Sequence, residues 1–151
     1  MSLRSQKSVQ IFKEGYNCAQ SVLGAFCDEI GMEFEDTMKL ASSFGGGMGR
    51  MREVCGAVSA LFMIAGMKYG YTTPNDDITK EKHYALIQKL ADKFKQKYGT
   101  IICRELLNTE DKSPKPSSRT EEYYASRPCE EFIKTATEIE DELLQSNLGT
   151  D

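Results

Sequence analysis

Five cysteines are the residues of this chain whose type is best suited to chemistry. None of them forms a Cys-x-x-Cys pair, and the only histidine is His83. These spacings exclude the zinc fingers and thioredoxin-type motifs that can be recognised from local sequence. Any shared site must therefore be assembled by the fold from distant positions, which are Cys18, Cys27, Cys55, Cys103 and Cys129.

Three of these cysteines are predicted to lie at helix starts. Cys18 follows Asn17, a residue type that commonly caps helices. Cys55 is expected in the first turn after a glycine-rich loop, and Cys129 follows Pro128. Because the partial positive charge at a helix start favours a thiolate, these positions suit disulfide exchange or metal binding.

Neighbouring arginines are expected to strengthen this effect. Arg127 precedes Cys129 by two positions, and Arg104 is adjacent to Cys103. A guanidinium beside a thiol favours the thiolate form.

Cys27 is the cysteine with the weakest claim to a chemical role. A single predicted helix of about 18–30 places Cys27 in mid-helix, where a free cysteine commonly acts as a small hydrophobic residue. On that helix Cys18 and Cys27 would lie on opposite faces and about 13 Å apart. They could then neither form a disulfide with each other nor share one metal ion.

The glycine-rich loop, residues 44–50, is a candidate ligand site. It lacks a preceding strand and a following Gly-Lys-Ser/Thr, so it does not match a phosphate-binding loop. A tight connection between helices is the favoured interpretation. Weaker anion-binding or ligand-binding candidates in and after the loop are Gly47, Gly49, Arg50 and Arg52.

The overall composition is that of an ordinary globular protein. The chain has 151 residues, 40% of them hydrophobic and 28% charged, which suffices for one domain over 1–151 with its own core. A net charge of −4 disfavours nucleic-acid binding. The N-terminal residues lack a hydrophobic signal core, and the longest apolar run is too short to cross a bilayer. We expect a cytoplasmic protein with neither membrane nor nucleic-acid partners.

Helical periodicity dominates the chain, and no alternating strand pattern is evident. We predict an all-α bundle of about five to seven helices. Its centre is a helix at about 53–69 that is apolar nearly all round and therefore buried. Small residues on it, Gly56, Ala60 and Gly66, would let neighbouring helices approach closely.

The other predicted helices surround this centre. A polar stretch with two prolines, 108–120, is expected to be an exposed loop, and 147–151 a frayed tail. The acidic run 138–142 is expected to face solvent. It has no partner histidine with which to make a metal site. The remaining helices are predicted at about 5–14, 18–30, 34–43, 79–98, 103–107 and from 128 onward.

Taken together, these segments resemble the bacterial C_GCAxxG_C_C family of redox-active proteins. The resemblance covers roughly 10–145 and rests on four cysteines in order and on the glycine-rich loop before the second of them. The segments that carry it are Asn17-Cys18-Ala19-Gln20-Ser21, Gly45-Gly46-Gly47-Met48-Gly49-Arg50, Cys55-Gly56-Ala57-Val58-Ser59-Ala60, Cys103-Arg104-Glu105-Leu106 and Cys129.

The resemblance implies four redox-capable cysteines, Cys18, Cys55, Cys103 and Cys129. The family's Cys-Gly-Ala-x-x-Gly pattern ends here in Ala60 rather than glycine, which affects packing more than chemistry. We therefore expect the other three cysteines to converge on Cys55, with Cys27 outside the set.

Three hypotheses follow for the function. The first is thiol–disulfide chemistry with an unknown redox partner. The second, which the resemblance also implies, is electron transfer through an iron–sulfur cluster or another metal held by the same four cysteines, Cys18, Cys55, Cys103 and Cys129. The third is a non-catalytic helical scaffold that binds a partner or small ligand through the glycine-rich loop.

Overall fold

The computed structural model describes residues 2–146, and these residues confirm the all-α class. No helix among them is long and apolar enough to cross a membrane. The predicted tail 147–151 lies outside the described residues. The helices are α1 (Leu3–Lys13), α2 (Cys18–Ala25), α3 (Cys27–Ile30), α4 (Phe34–Ala41), α5 (Gly56–Tyr69), α6 (Asp77–Tyr98), α7 (Cys103–Leu107), α8 (Glu121–Ser126) and α9 (Cys129–Ser146).

The nine α-helices within 2–146 exceed the five to seven that the sequence predicts, partly because the predicted helix at 18–30 is broken. The backbone leaves helical geometry at Phe26, with φ −117° and ψ 14°, and the ring of Phe26 is fully buried. Arg4 donates a 2.6 Å hydrogen bond to the carbonyl of Ala25 at the break. Cys27 therefore begins α3 instead of lying within one long helix with Cys18, and the prediction of a single helix at 18–30 was wrong.

Helix α8 is the other element that the sequence analysis did not predict. The hydroxyl of Thr120 accepts a hydrogen bond from the backbone N–H of Tyr123, and two glutamates occupy the first turn. This is a recognisable helix start, so the signal was present in the sequence. The segment 108–120 before it contains no helix and is mostly exposed, as expected.

Helix α5 is the buried centre of the bundle and packs against α2, α6 and α9. Eight of its fourteen residues are buried, including Val58, Leu61 and Ile64 at zero exposure. It begins at Gly56 rather than near 53, because Val54 pairs with Ile102 in an isolated antiparallel β-bridge. Gly66 has no atom within 4 Å of a Cβ built on it, so it does not mediate the close packing expected there.

The acidic run 138–142 does not form a uniformly solvated face. Glu138 is exposed, whereas Glu140 is fully buried, with neither carboxyl oxygen hydrogen bonded. The helical period explains the difference, since Glu140 follows Ala136 by four positions and shares its buried face.

Candidate redox site

All four cysteines of the predicted set line one cavity of about 240 Å³. Cys18 and Cys129 are half-buried, whereas Cys55 and Cys103 are 4% and 5% exposed. Cys27 is not among the lining residues. The fold therefore brings together the cysteines expected to converge and leaves the fifth outside.

Cys18 is held at the first position of α2 by a complete capping box. Asn17 Oδ1 accepts from the N–H of Gln20 at 2.8 Å, and Gln20 Oε1 accepts from the N–H of Asn17 at 3.0 Å. This reciprocal pair satisfies two free backbone donors and fixes the direction in which the chain enters the helix. The predicted N-cap at Asn17 is confirmed.

The surroundings of Cys18 favour its thiolate. A hydrogen bond from the Cys55 thiol, followed by backbone N–H groups of Gly46, Ala19 and Gly56, lowers the pKa of Cys18 to about 6, although burial opposes the shift. At neutral pH Cys18 is therefore mostly ionised, the form that attacks disulfides.

Gly56 makes this close approach possible. A Cβ at this position would lie 2.6 Å from Cys18 Sγ and 2.7 Å from the carbonyl oxygen of Phe44. Any side chain would displace the sulfur or the loop, so a glycine directly after Cys55 is a steric requirement of the site.

The pKa of Cys55 shifts in the opposite direction to that of Cys18. Its hydrogen bond to Cys18, its burial and the negative charge of Cys18 raise its pKa well above the ordinary value. It occupies the cap position before α5 rather than the first turn. The expectation that this helix start yields a thiolate was wrong, because the thiol proton is held between two sulfurs and only one of them ionises readily.

The β-bridge holds the segment that contains Cys103 against the segment that contains Cys55. The N–H of Cys55 donates to the carbonyl of Ile101 at 2.8 Å, and the N–H of Cys103 donates to the carbonyl of Glu53 at 2.6 Å. These bonds tie the segment before α5 to the segment that enters α7. Two segments almost fifty residues apart in sequence thus present their cysteines to one cavity.

The arginine that contacts Cys103 is not the one that its sequence position suggests. Arg104 pairs with Glu53 at 3.1 Å. Arg52 instead donates to Cys103 Sγ at 3.8 Å. Burial still raises the pKa of Cys103, so a favourable guanidinium contact does not make it a thiolate.

Cys129 also departs from the thiolate expected at its helix start. Burial and then the negative charge of Cys18 raise its pKa to about 12, and Arg127 offsets only part of this. The desolvation of a charged thiolate outweighs the helix-end effect here.

The glycine-rich loop forms a compact left-handed turn. Its residues at 46–50 all have φ between 57° and 72°, and Arg52 has φ 62°. Three non-glycine residues adopt this unfavourable conformation, a kind of strain that concentrates at functional sites. At Gly47 a Cβ would lie 2.6 Å from Cys103 Cβ, so the loop packs directly against a site cysteine.

The two arginines of the anion hypothesis hold the segment 108–120. Arg50 donates to the carbonyls of Ser113 and Lys115, and Arg52 Nε donates to the carbonyl of Asp111 at 2.8 Å. Gly49, Arg50 and Arg52 also line the cavity, whereas Gly47 is not among its lining residues. Anion binding at these positions stays a prediction, with part of each guanidinium already engaged.

Two further lining residues were not predicted from the sequence. Arg119 anchors the end of 108–120 by donating to the carbonyls of Phe12 at 3.1 Å and Tyr16 at 2.9 Å. Tyr123 from α8 lies beneath both this guanidinium and that of Arg127. No sequence signal links these residues to the cysteines, because their role depends on the path of 108–120 across the cavity.

The cysteines do not fit a preformed metal site. Among residues 2–146, no three His, Cys, Asp or Glu side chains lie together in an arrangement that could hold a metal ion. Cys18 and Cys55 interact with each other, and Arg52 donates a hydrogen bond to Cys103. The donor types suit an iron–sulfur cluster, but this arrangement of them does not.

A comparison with known protein families is consistent with the grouping of the four cavity cysteines. Neither the curated proteins nor the solved structures contain a match to this chain. A family model described as "Putative redox-active protein (C_GCAxxG_C_C)" matches residues 16–143, which include all four cavity cysteines. The chain belongs to the C_GCAxxG_C_C family of redox-active proteins.

Proposed function

We propose that this protein is a thiol–disulfide oxidoreductase in which Cys18 is the attacking thiolate and Cys55 the resolving thiol. The observation that carries the proposal is that both sulfurs line one cavity, where their interaction lowers the pKa of Cys18 and raises that of Cys55. A pair of titrating groups with separated pKa values supplies a nucleophile and a proton donor at the same pH.

The proposed reaction balances as a two-electron exchange. The Cys18 thiolate attacks one sulfur of a substrate disulfide, forms a mixed disulfide and expels the first substrate thiolate, which takes up a proton. Cys55 then loses its proton and attacks Cys18 Sγ, which releases the second substrate sulfur. The substrate disulfide becomes two thiols, and the protein dithiol becomes a Cys18–Cys55 disulfide. A dithiol reductant returns the protein to its starting state.

Cys103 and Cys129 provide a second dithiol in the proposal. Both line the same cavity and have raised pKa values, so both are held as thiols while Cys18 is ionised. The charge of Cys18 acts on both groups, which is consistent with three sulfurs in electrostatic reach of one another. Either thiol, once deprotonated, could attack a Cys18 disulfide and pass the oxidation on.

Disulfide mapping tests the proposal. The reduced full-length protein is treated with one equivalent of a small disulfide, quenched with acid and digested. We expect a Cys18–Cys55 linkage as the first product. In Cys55→Ser the mixed disulfide on Cys18 should accumulate, whereas Cys27→Ser should behave as the parent protein. A first product that lacks Cys18 would contradict the assignment of the nucleophile.

Two further measurements distinguish this proposal from the other two hypotheses. Protein purified without oxygen and carrying stoichiometric iron with visible absorbance would favour the iron–sulfur hypothesis instead. A variant with serine at all four cavity cysteines that kept full function would favour the scaffold hypothesis.

A further inference from the structure

The charge of the cavity is opposite to the charge of the whole chain. Four arginines line it, and no aspartate or glutamate is among its lining residues in the described part of the chain. The complete sequence has a net charge of −4. Positive charge is therefore concentrated around the cysteines, at Arg50, Arg52, Arg119 and Arg127.

Most of these guanidiniums lack a carboxylate partner. Within residues 2–146, only Arg50 has one, the Asp111 carboxylate at 3.8 Å. Arg52 is 2% exposed and is hydrogen bonded to a backbone carbonyl and to Cys103. Arg127 has only a long 3.5 Å contact to the hydroxyl of Ser117 and an aromatic contact. Arg52 is buried and Arg127 is half-buried, and the Cys18 thiolate supplies one negative charge to a cavity with four cations. A further anion would therefore be attracted to the cavity.

The covering of the cavity limits the size of what can enter. Pro116 and Ser117, from the arginine-anchored segment 108–120, are among its lining residues. The space of about 240 Å³ suits a small molecule, and Cys55 at the base is 4% exposed. The small volume therefore favours a small molecule over a disulfide on the surface of a folded protein.

We propose that the substrate is a low-molecular-weight disulfide that carries carboxylate groups, bound with its carboxylates on the cavity arginines and a sulfur at Cys18. This assignment rests on the proposed function. The electrons follow the same path, so the disulfide leaves as two carboxylate-bearing thiols and the Cys18–Cys55 pair is oxidised. Apolar contacts from Phe12, Leu106 and Phe132 would receive the methylene groups of such a molecule.

Alkylation by two reagents of nearly the same shape tests the anion preference directly. Iodoacetate is negative and iodoacetamide is neutral, and both modify the thiolate. We measure the ratio of their rates at Cys18 by peptide mass spectrometry on the full chain and divide it by the ratio for a free small thiol. Because both reagents need the thiolate, the ratio does not depend on the pKa of Cys18. We expect the iodoacetate preference to exceed that of the free thiol about tenfold.

Substitutions at Arg127 identify the source of the preference. Arg127→Gln should lower the normalised ratio about threefold, and Arg127→Lys, which keeps the charge, should retain most of it. Lys89→Gln makes the same change in net charge on an exposed site of α6 away from the cavity and should leave the ratio unchanged. A parent ratio equal to that of the free thiol, or equal losses in Arg127→Gln and Lys89→Gln, would overturn the proposal.

Oxidation by charged disulfides distinguishes failure of this inference from failure of the proposed function. The reduced protein is treated with 3,3′-dithiodipropionate, a dianion, or with cystamine, a dication, each rate being normalised to a free thiol. We expect the dianion to react about tenfold faster. Equal rates with a Cys18–Cys55 product would reject the substrate class and keep the function. No Cys18–Cys55 disulfide with either reagent would reject both.

Discussion

Two cysteines at neighbouring helix starts, Cys18 and Cys55, titrate in opposite directions in this protein. A helix start alone favours a thiolate, yet among the cavity cysteines only Cys18 has a lowered pKa. The difference comes from hydrogen bonding. Cys18 receives one thiol and three backbone donors. The pKa of Cys55 is raised chiefly by its hydrogen bond to Cys18, and those of Cys103 and Cys129 chiefly by burial.

Removing the Cys55 thiol tests this account. In Cys55→Ala the pKa of Cys18 should rise above its value of about 6, because the largest contribution to its stabilisation is lost. The measurement is the rate of iodoacetamide alkylation at Cys18 as a function of pH. In the parent protein the rate should reach its plateau about one pH unit above the midpoint near 6, and in the variant the midpoint should move to higher pH.

Cys27→Ala is the control for this measurement, since Cys27 begins α3 and does not line the cavity. Its profile should match that of the parent. An unchanged midpoint in Cys55→Ala would show that the backbone donors of Gly46, Ala19 and Gly56 alone set the pKa of Cys18.

At the scale of elements, the site depends on where α5 begins and on what lies against its first turn. The β-bridge between Val54 and Ile102 delays the helix to Gly56 and holds the segment of Cys55 against the segment of Cys103. The left-handed loop before it folds back onto the same cysteines. One short stretch of irregular backbone thus positions two of the four sulfurs.

Two glycines on α5 provide a matched pair for testing this arrangement. Gly56→Ala should lower the free energy of unfolding by about 1–3 kcal/mol, because its Cβ would overlap Cys18 Sγ and the Phe44 carbonyl. Gly66→Ala has open space around its Cβ and lies inside the helix, so it should raise stability by about 0.5–1 kcal/mol. Urea unfolding measures both.

The Gly56→Ala variant should also lose reactivity at Cys18, since the sulfur must move away from its donors. Gly66→Ala should keep the parent reactivity. Equal stability changes in the two variants would be inconsistent with close packing between the start of α5 and Cys18.

Considered as a whole molecule, the bundle carries one buried charge-bearing group outside the cysteine cavity within residues 2–146. Glu140 is fully buried on α9, and neither oxygen of its carboxyl group is hydrogen bonded. Burial, then the charge of Asp141, raises its pKa to about 8, with a smaller increase from Glu29, and Lys68 offsets part of the shift. The folded protein therefore holds this carboxyl group protonated at neutral pH.

This group makes global stability depend on pH. The unfolded chain releases the Glu140 proton near the ordinary pKa of 4.5, whereas the folded chain keeps it to about pH 8. The unfolded state thus binds fewer protons between these two pH values. The contribution of Glu140 to stability is therefore complete below pH 4.5 and is lost as the pH rises to about 8. Glu140→Gln should gain about 1–3 kcal/mol at pH 7 and flatten this dependence.

Thermal unfolding between pH 5 and 8 checks this expectation. Glu138→Gln on the same helix is the control, because Glu138 is exposed. It should reproduce the parent curve. A parent protein whose stability rises steadily from pH 5 to 8, or a Glu140→Gln variant with the same slope as the parent, would contradict the buried-carboxyl account.

The sequence by itself determined the helical class and the set of four cysteines that line one cavity. Helical periodicity, the Asn17 cap and the apolar run of α5 are local signals, and local backbone chemistry decides such elements. The four cysteines could be separated from Cys27 by their motifs. Exposure of Glu138 and burial of Glu140 could also have been read from the helical period, had it been applied to the acidic run.

Only the tertiary structure decided which chemical state each cysteine adopts. The Cys18–Cys55 hydrogen bond, the contact between Arg52 and Cys103, and the cover formed by 108–120 all join residues far apart in sequence. Desolvation and hydrogen bonding depend on distances in space, and they outweigh the helix-start effect that sequence position predicts. The sequence identifies the cysteines, but the packing around them determines which thiol ionises.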